Sequence, residues 1–74
     1  MDSIRDLLDV FIFDNCDKIV FCDIDDNAVE TIIEDEDDAK DLADKLDYDG
    51  YYLASFEVDA NRNALVINYG HSED

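Results

Sequence analysis

The stretch that most constrains the fold is residues 34–49, EDEDDAKDLADKLDYD, which has the pattern of a helix with one narrow apolar side. Its apolar residues recur at spacings of three and four, as expected for the core-facing side of a helix: Ala39, Leu42, Ala43 and Leu46. Asp37, Asp41 and Asp44 fall on the opposite side, and a rise of about 1.5 Å per residue places them roughly 5–6 Å apart. We therefore predict a helix over residues 35–47 that packs through one side and carries a row of carboxylates on the other.

The rest of the chain predicts one further helix and four strands. These elements are a helix over residues 3–13 and strands over residues 18–24, 28–34, 51–58 and 64–69. The helix follows from apolar residues at helical spacing after Ser3, a helix-capping residue type, and the strands follow from β-branched and aromatic runs. The apolar residues of the 28–34 segment also fit one side of a helix, so a continuation into the acidic helix remains an alternative. Gly50 is the natural end of the acidic helix.

These elements predict a single α+β domain spanning residues 1–74, with the order αββαββ. A four-stranded, mostly antiparallel sheet with both helices packed on one face would bury the apolar side of each helix. Residues 70–74 are expected to form a short flexible tail. The sequence leaves the strand order open, and it does not decide between a monomer and a homodimer.

The charge of the chain restricts its partners. There are 22 acidic residues against 5 basic ones, for a net charge of −17, and 17 of the acids are Asp. A hydrophobic content of 47%, with four Phe and four Tyr, indicates a folded core and not a disordered acidic tail. Nucleic acids and anionic membranes would repel such a protein. Basic proteins are therefore the expected partners, above all those with phosphate-binding clefts for DNA or RNA.

Catalysis is not expected. His71 is the only histidine and lies close to the C-terminus, so no nucleophile–base pair can be assembled around it. Two glycines, Gly50 and Gly70, are too few and too far apart for a phosphate-binding loop. We predict that the chain is not an enzyme and needs no cofactor.

A calcium loop is the metal site that the sequence comes closest to. Asp23, Asp25, Asn27, Thr31 and Glu34 occupy positions 1, 3, 5, 9 and 12 of a twelve-residue loop. The sixth position requires Gly for a sharp turn and is occupied by alanine, and the preceding residues resemble a strand and not an entering helix. The prediction is that no specific metal site forms.

The cellular location follows from the cysteines and the apolar runs. Cys16 and Cys22 are expected to be free thiols, which suits a reducing compartment. No apolar run resembles a signal peptide or reaches the roughly 20 residues that span a bilayer. We expect the protein in the cytoplasm of a bacterial cell.

An acidic surface around the long helix is the candidate functional site. A row of acids on a helix is commonly only a solvated side, but a net charge of about 2–8 is enough to keep a small domain in solution. The candidate partner-binding acids are Asp25, Asp26, Glu30, Glu34, Glu36, Asp37, Asp38, Asp41, Asp44, Asp47 and Asp49. Tyr48 and Tyr51 are candidate exposed anchors beside them, whereas Tyr52 is expected in the core.

In its small size, its Asp-rich composition and the acidic helix over residues 34–49, the chain resembles the DNA-mimic proteins of phages and mobile elements. That class includes anti-CRISPR proteins, antirestriction proteins and the uracil-DNA glycosylase inhibitor. The resemblance implies a stoichiometric inhibitor of a nucleic-acid-binding machine in the bacterial host, with a CRISPR effector as the favoured target.

Two alternatives to mimicry also account for the charge. In the first, the chain is an acidic cytoplasmic protein of a halophile, with its carboxylates selected for solvation. In the second, it is an immunity-type or antitoxin partner of a basic nuclease, which would use the same electrostatic attraction.

Overall fold

The computed structural model describes residues 3–10 and 16–71, which form two helices and four strands. The elements are α1 Ile4–Val10, β1 Lys18–Asp23, β2 Val29–Ile33, α2 Glu36–Tyr48, β3 Tyr51–Asp59 and β4 Ala64–His71. The predicted order αββαββ is confirmed, and the 28–34 segment is a strand and not part of the acidic helix. The end of the predicted first helix, residues 11–13, lies outside the described residues. Gly70 and His71, which were predicted to begin a flexible tail, continue β4, and the rest of that predicted tail, residues 72–74, lies outside the described residues.

The four strands form one mixed sheet in the order β2-β1-β4-β3. The pairs β1–β2 and β3–β4 are antiparallel, which agrees with the predicted mostly antiparallel sheet. The central pair β1–β4 is parallel, with Lys18 opposite Ala64 and Asp23 opposite Tyr69. The long connection that a parallel pair needs is supplied by β2, α2 and β3 together. Both central strands are apolar on both faces, which suits them to the interior of the sheet.

The main core lies between one face of the sheet and the two helices. Its fully buried members come from both helices and both central strands: Ile4, Leu7, Leu8, Ile19, Phe21, Ala39, Ala43, Leu65 and Ile67. The prediction that both helices pack on one face is therefore confirmed. The alanines of α2 have no bulk beyond Cβ, so the helix backbone can approach the sheet closely.

A second apolar cluster lies on the sheet face that carries no helix. It consists of Val20, Cys22, Ala64 and Val66, all buried. Arg62, in the turn between β3 and β4, pairs with Asp59 in β3 (Nε–Oδ2 2.9 Å) and with Glu30 in β2 (Nη1–Oε1 3.2 Å). Because β1 separates that turn from β2, the arginine side chain must cross this face. An arginine stem can cover apolar surface while its charged head stays in water, so the two ion pairs place Arg62 where its stem can cover part of the cluster.

A bulge in β3 reverses the alternation of its side chains. Leu53 lies opposite Tyr69 and Phe56 lies opposite Ile67, so three residue steps of β3 span two residue steps of β4. As a result, Tyr51 and Leu53 share the helix-covered face with Phe56 and Val58. Without the bulge, a strict period of two would place these pairs on opposite faces.

The predicted positions of two tyrosines in β3 are also wrong. Tyr52 is not in the core: it lies on the helix-free face, 44% exposed, with its ring over Gly70. A Cβ at Gly70 would lie 2.9 Å from the hydroxyl oxygen of Tyr52, so a side chain there would displace the ring. Tyr51 is only half-exposed, with edge-to-face contacts to Tyr69 at a centroid distance of 5.3 Å and to His71 at 5.0 Å.

The β1–β2 turn contains a strained alanine and provides a first prediction. Ala28 has φ of 57°, a left-handed conformation that costs a residue with a Cβ about 1–2 kcal/mol. We expect Ala28→Gly to raise the free energy of unfolding by about 0.5–1 kcal/mol, since relief of strain exceeds the added chain entropy. Urea denaturation measures the change. Ala60→Gly is the matched control, because Ala60 lies in a turn without a positive φ, and it should lower stability. A loss of stability in both variants would contradict the assignment of strain to Ala28.

Candidate partner-binding surface

Helix α2 is held at both ends by local hydrogen bonds. At its start, Asp35 Oδ1 accepts the N–H of Asp37 at 3.0 Å, which is the N-cap that the residue type favours. At its end, Gly50 has φ of 91° and donates its N–H to the carbonyl of Asp47 at 3.2 Å. The predicted inward side is confirmed, with Ala39 and Ala43 fully buried. The helix is therefore a fixed support for the acids on its outer side.

Two of the predicted surface acids hold α1 in place. Asp47 accepts the N–H of Ile4 at Oδ1 and the N–H of Arg5 at Oδ2, each at 3.0 Å. The same carboxylate thereby caps the N-terminus of α1, where the helix dipole also favours a negative charge. Asp44 accepts a hydrogen bond from Arg5 Nη1, while Arg5 Nε bonds Asp9 Oδ1 at 3.0 Å. Asp44 and Asp47 are thus structural carboxylates, although Asp44 keeps an exposed side chain.

Two further candidates are paired with cations. Glu36 contacts Lys40 at 3.2 Å, an i, i+4 pair in the order that stabilises a helix. Glu30 is paired with Arg62 on the helix-free face, away from α2. Asp41 and Lys45 have the same spacing and order, but they are not among the salt bridges of the described residues.

Three acids on the outer side of α2 are exposed and have no salt bridge within residues 3–10 and 16–71: Asp37, Asp38 and Asp41. We call these three residues the acidic ridge. At about 100° per residue they fall within an arc of roughly 100° on the helix surface, so one partner surface can reach all of them. Glu34 precedes the helix and Asp49 follows it, and both are exposed and without a salt bridge in the same part of the chain.

The acids of the β1–β2 turn lie at a different end of the molecule from the ridge. Asp25 Oδ2 accepts the N–H of His71 at 2.6 Å, and His71 lies opposite Tyr51 just after α2 ends. Asp37, at the start of α2, is separated from that end by the helix length, roughly 18 Å at about 1.5 Å per residue. Asp26 is exposed in the same turn. Asp25 and Asp26 therefore form no single cluster with the ridge, although the sequence suggested continuous charge.

The two candidate tyrosines differ in their surroundings. Tyr48, in the last turn of α2, is 92% exposed and is available to a partner. Tyr51 packs against the core through Tyr69, so it is a structural residue first. Tyr48 lies in the last turn of α2 and Tyr51 lies in β3 on the helix-covered face, and no local sequence pattern marks this difference.

The possible metal-binding and reactive side chains of the described residues do not come together in one site. The residues whose spacing partly matches a calcium loop lie in a β-hairpin, with Asp23 ending β1 and Thr31 within β2. No group of three or more His, Cys, Asp or Glu side chains suited to a metal ion occurs among residues 3–10 and 16–71. Cys16 and Cys22 are free, and burial raises the pKa of the Cys22 thiol. The Arg62 guanidinium holds the pKa of the Asp59 carboxyl below its ordinary value through a side-chain hydrogen bond.

Comparison with known proteins gives no relative. No protein-family model, no curated protein and no solved structure matches the chain. Within the described residues, no helix combines the length and the apolar character needed to cross a membrane. The functional argument therefore rests on the surface itself.

Proposed function

We propose that this protein is a stoichiometric inhibitor that mimics nucleic acid and binds the basic nucleic-acid-binding surface of a CRISPR effector complex. The observation that carries the proposal is the acidic ridge: three exposed carboxylates on one helix, none of them in a salt bridge within the described residues. In this interpretation, Asp37, Asp38 and Asp41 occupy Lys or Arg subsites that otherwise hold backbone phosphates.

The rigidity of the support favours such binding. The ridge lies on a helix capped by Asp35 and Gly50 and packed on the sheet through Ala39 and Ala43. A fixed scaffold loses less conformational entropy on binding than a flexible chain of equal charge. Short Asp side chains add to this, because they hold each carboxylate close to the helix backbone.

The charge of the whole chain favours fast association. A net charge of −17 attracts a basic cleft over distances comparable to the Debye length, about 10 Å at 0.1 M salt. Association with the target should therefore be fast at low salt and should slow as salt increases. The same charge opposes binding to nucleic acid itself.

A competition experiment tests the proposal. The tagged protein is used to capture partners from bacterial lysates that contain CRISPR systems, and the capture is repeated with excess duplex DNA. We expect one effector complex to be recovered and then lost when DNA is present, because both compete for one channel. Recovery of the effector at saturating DNA would place the contact outside the channel and contradict mimicry. Recovery of a basic nuclease instead would support the immunity-type alternative.

Salt dependence of folding separates mimicry from halophilic adaptation. Self-repulsion at −17 predicts that the free energy of unfolding rises by on the order of 1 kcal/mol between about 20 mM and 0.5 M NaCl. The apolar core between the sheet and the helices does not depend on salt, so the protein should still be folded at the lower NaCl concentration. Circular dichroism with urea titrations at each salt concentration measures this. A chain that unfolds without roughly molar salt would favour the halophilic alternative.

A further inference from the structure

The outer edge of the sheet at β3 is open in the described part of the chain. β3 has nine residues and pairs only with β4, so its other edge presents unpaired backbone groups. Phe56 and Val58 lie on the helix-covered face but are 47% and 61% exposed. Their neighbours Ile67 and Leu65 in β4 are fully buried, so the exposed apolar surface is confined to the edge.

The opposite face of the same edge is acidic. Glu57 lies opposite Val66 on the helix-free face, is exposed, and has no salt bridge among the described residues. Asp59 also lies on this face, two residues further along, where Arg62 neutralises it in part. Over residues 56–59, the β3 edge therefore has exposed apolar side chains on one face and the carboxylate of Glu57 on the other, while Tyr52 is exposed on that second face nearer the start of the strand.

We propose that the β3 edge is a second docking surface, and that its occupant is an extended segment of a partner protein in which apolar residues alternate with Lys or Arg. A strand added to this edge would use main-chain hydrogen bonds for affinity. Its side chains alternate between faces, so one set would cover Phe56 and Val58 while the other set meets Glu57. A cross-strand pair of opposite charges adds further affinity.

Electrostatics argues against a second copy of this chain as the occupant. Each copy carries a charge of −17, and edge-to-edge pairing would bring the two charges together at close range. A segment with alternating basic residues removes that repulsion and provides the partner for Glu57. The surface does not depend on the acidic ridge, because Glu57 and Phe56 lie on β3 and not on α2.

The test uses synthetic peptides and amide chemical shifts of the full chain. One peptide alternates Val and Lys, and its control has the same composition with all the Lys residues grouped at one end. We expect the alternating peptide to shift the amides of residues 52–58 and to bind about tenfold more tightly than the control. Equal affinity for both peptides, with shifts mainly on α2, would show charge attraction alone and overturn the proposal.

Substitutions in β3 localise the binding. Phe56→Ser should weaken the binding of the alternating peptide by about tenfold. Val29→Ser changes an exposed position on the opposite edge strand and should leave the affinity for the peptide unchanged. Val58→Thr keeps a β-branched side chain and should also weaken the binding of the alternating peptide. It serves as a second variant if Phe56→Ser fails to fold. Glu57→Lys should remove the preference for the alternating peptide over its control, because a Lys of the peptide would then lie beside a like charge. Unchanged binding in a folded β3 variant would contradict the proposal.

Two controls separate this proposal from its alternatives. Asp37→Asn combined with Asp41→Asn should leave the preference for the alternating peptide intact, so failure here is distinct from failure of nucleic-acid mimicry. Sedimentation equilibrium of the free protein measures its oligomeric state, and so tests whether a second copy of the chain occupies the β3 edge. A dimer that Phe56→Ser converts to a monomer would show that a second copy occupies the edge and would overturn the proposal.

Discussion

Replacing Asp37 and Asp41 together with Asn is expected to weaken binding to the target by about 100-fold, or roughly 2.7 kcal/mol. One desolvated charge pair accounts for a loss of this size, since removing one of its members costs about 2–5 kcal/mol when the cation of the partner loses its counter-charge. A second pair at the solvent-exposed rim of the interface adds little. The two ridge positions are exposed and have no salt bridge in the described part of the chain, so the substitutions break no observed salt bridge of the fold. Inhibition of the captured effector, measured as a function of protein concentration, reports the change.

The matched control removes the same amount of charge elsewhere. Asp6→Asn combined with Asp17→Asn changes two exposed side chains that make no salt bridge among the described residues and lie outside α2. This double variant should retain the affinity within about threefold, because only long-range attraction is reduced. Equal losses in both double variants would mean that total charge matters and the ridge does not. Full activity of the ridge variant would show that the ridge is not the binding face.

Asp47→Ala is expected to lower the free energy of unfolding by about 2–3 kcal/mol, a large part of the stability of a domain of this size. The Asp47 carboxylate accepts two backbone N–H groups of α1, from Ile4 and Arg5. Hydrogen bonds to a charged group contribute about 1.5–3 kcal/mol each, and part of that loss is recovered when water reaches the exposed amides. Urea denaturation gives the total, and amide exchange at Ile4 and Arg5 shows whether α1 opens first.

Asp41→Ala provides the comparison within the same helix. Asp41 is exposed, makes no salt bridge among the described residues, and is replaced by a better helix former, so the change should stay within about 0.5 kcal/mol of zero. The loss of stability in Asp47→Asn should fall between those of Asp47→Ala and Asp41→Ala, because Asn keeps one acceptor oxygen and loses the charge. If Asp47→Ala were as harmless as Asp41→Ala, the interpretation of Asp47 as the cap of α1 would be wrong.

The candidate site was only partly predictable. Exposure of Asp37, Asp38 and Asp41 follows from helical periodicity, since Ala39 and Ala43 can face only one way. By contrast, no local sequence pattern predicts that Asp44 and Asp47 bind α1. Their partners Ile4 and Arg5 are about 40 residues distant in sequence, and nothing in the acidic stretch distinguishes a capping carboxylate from a free one.

The sequence by itself determined five of the six elements, because each of the five is encoded by its own local pattern, whereas residues 28–34 fit both a strand and a helix, and their pairing with β1 in the sheet makes them a strand. The apolar spacing of α2, the β-branched run of β1 and the position of Gly50 specify type and boundary without help from the rest of the chain. Only the tertiary structure decided the parallel pairing of β1 with β4, the bulge in β3 that turns Tyr52 outward, and the crossing of Arg62 to Glu30. Each of these depends on contacts between segments far apart in sequence. Such contacts are selected by the packing of the whole core, and a period of two or 3.6 residues contains no information about them.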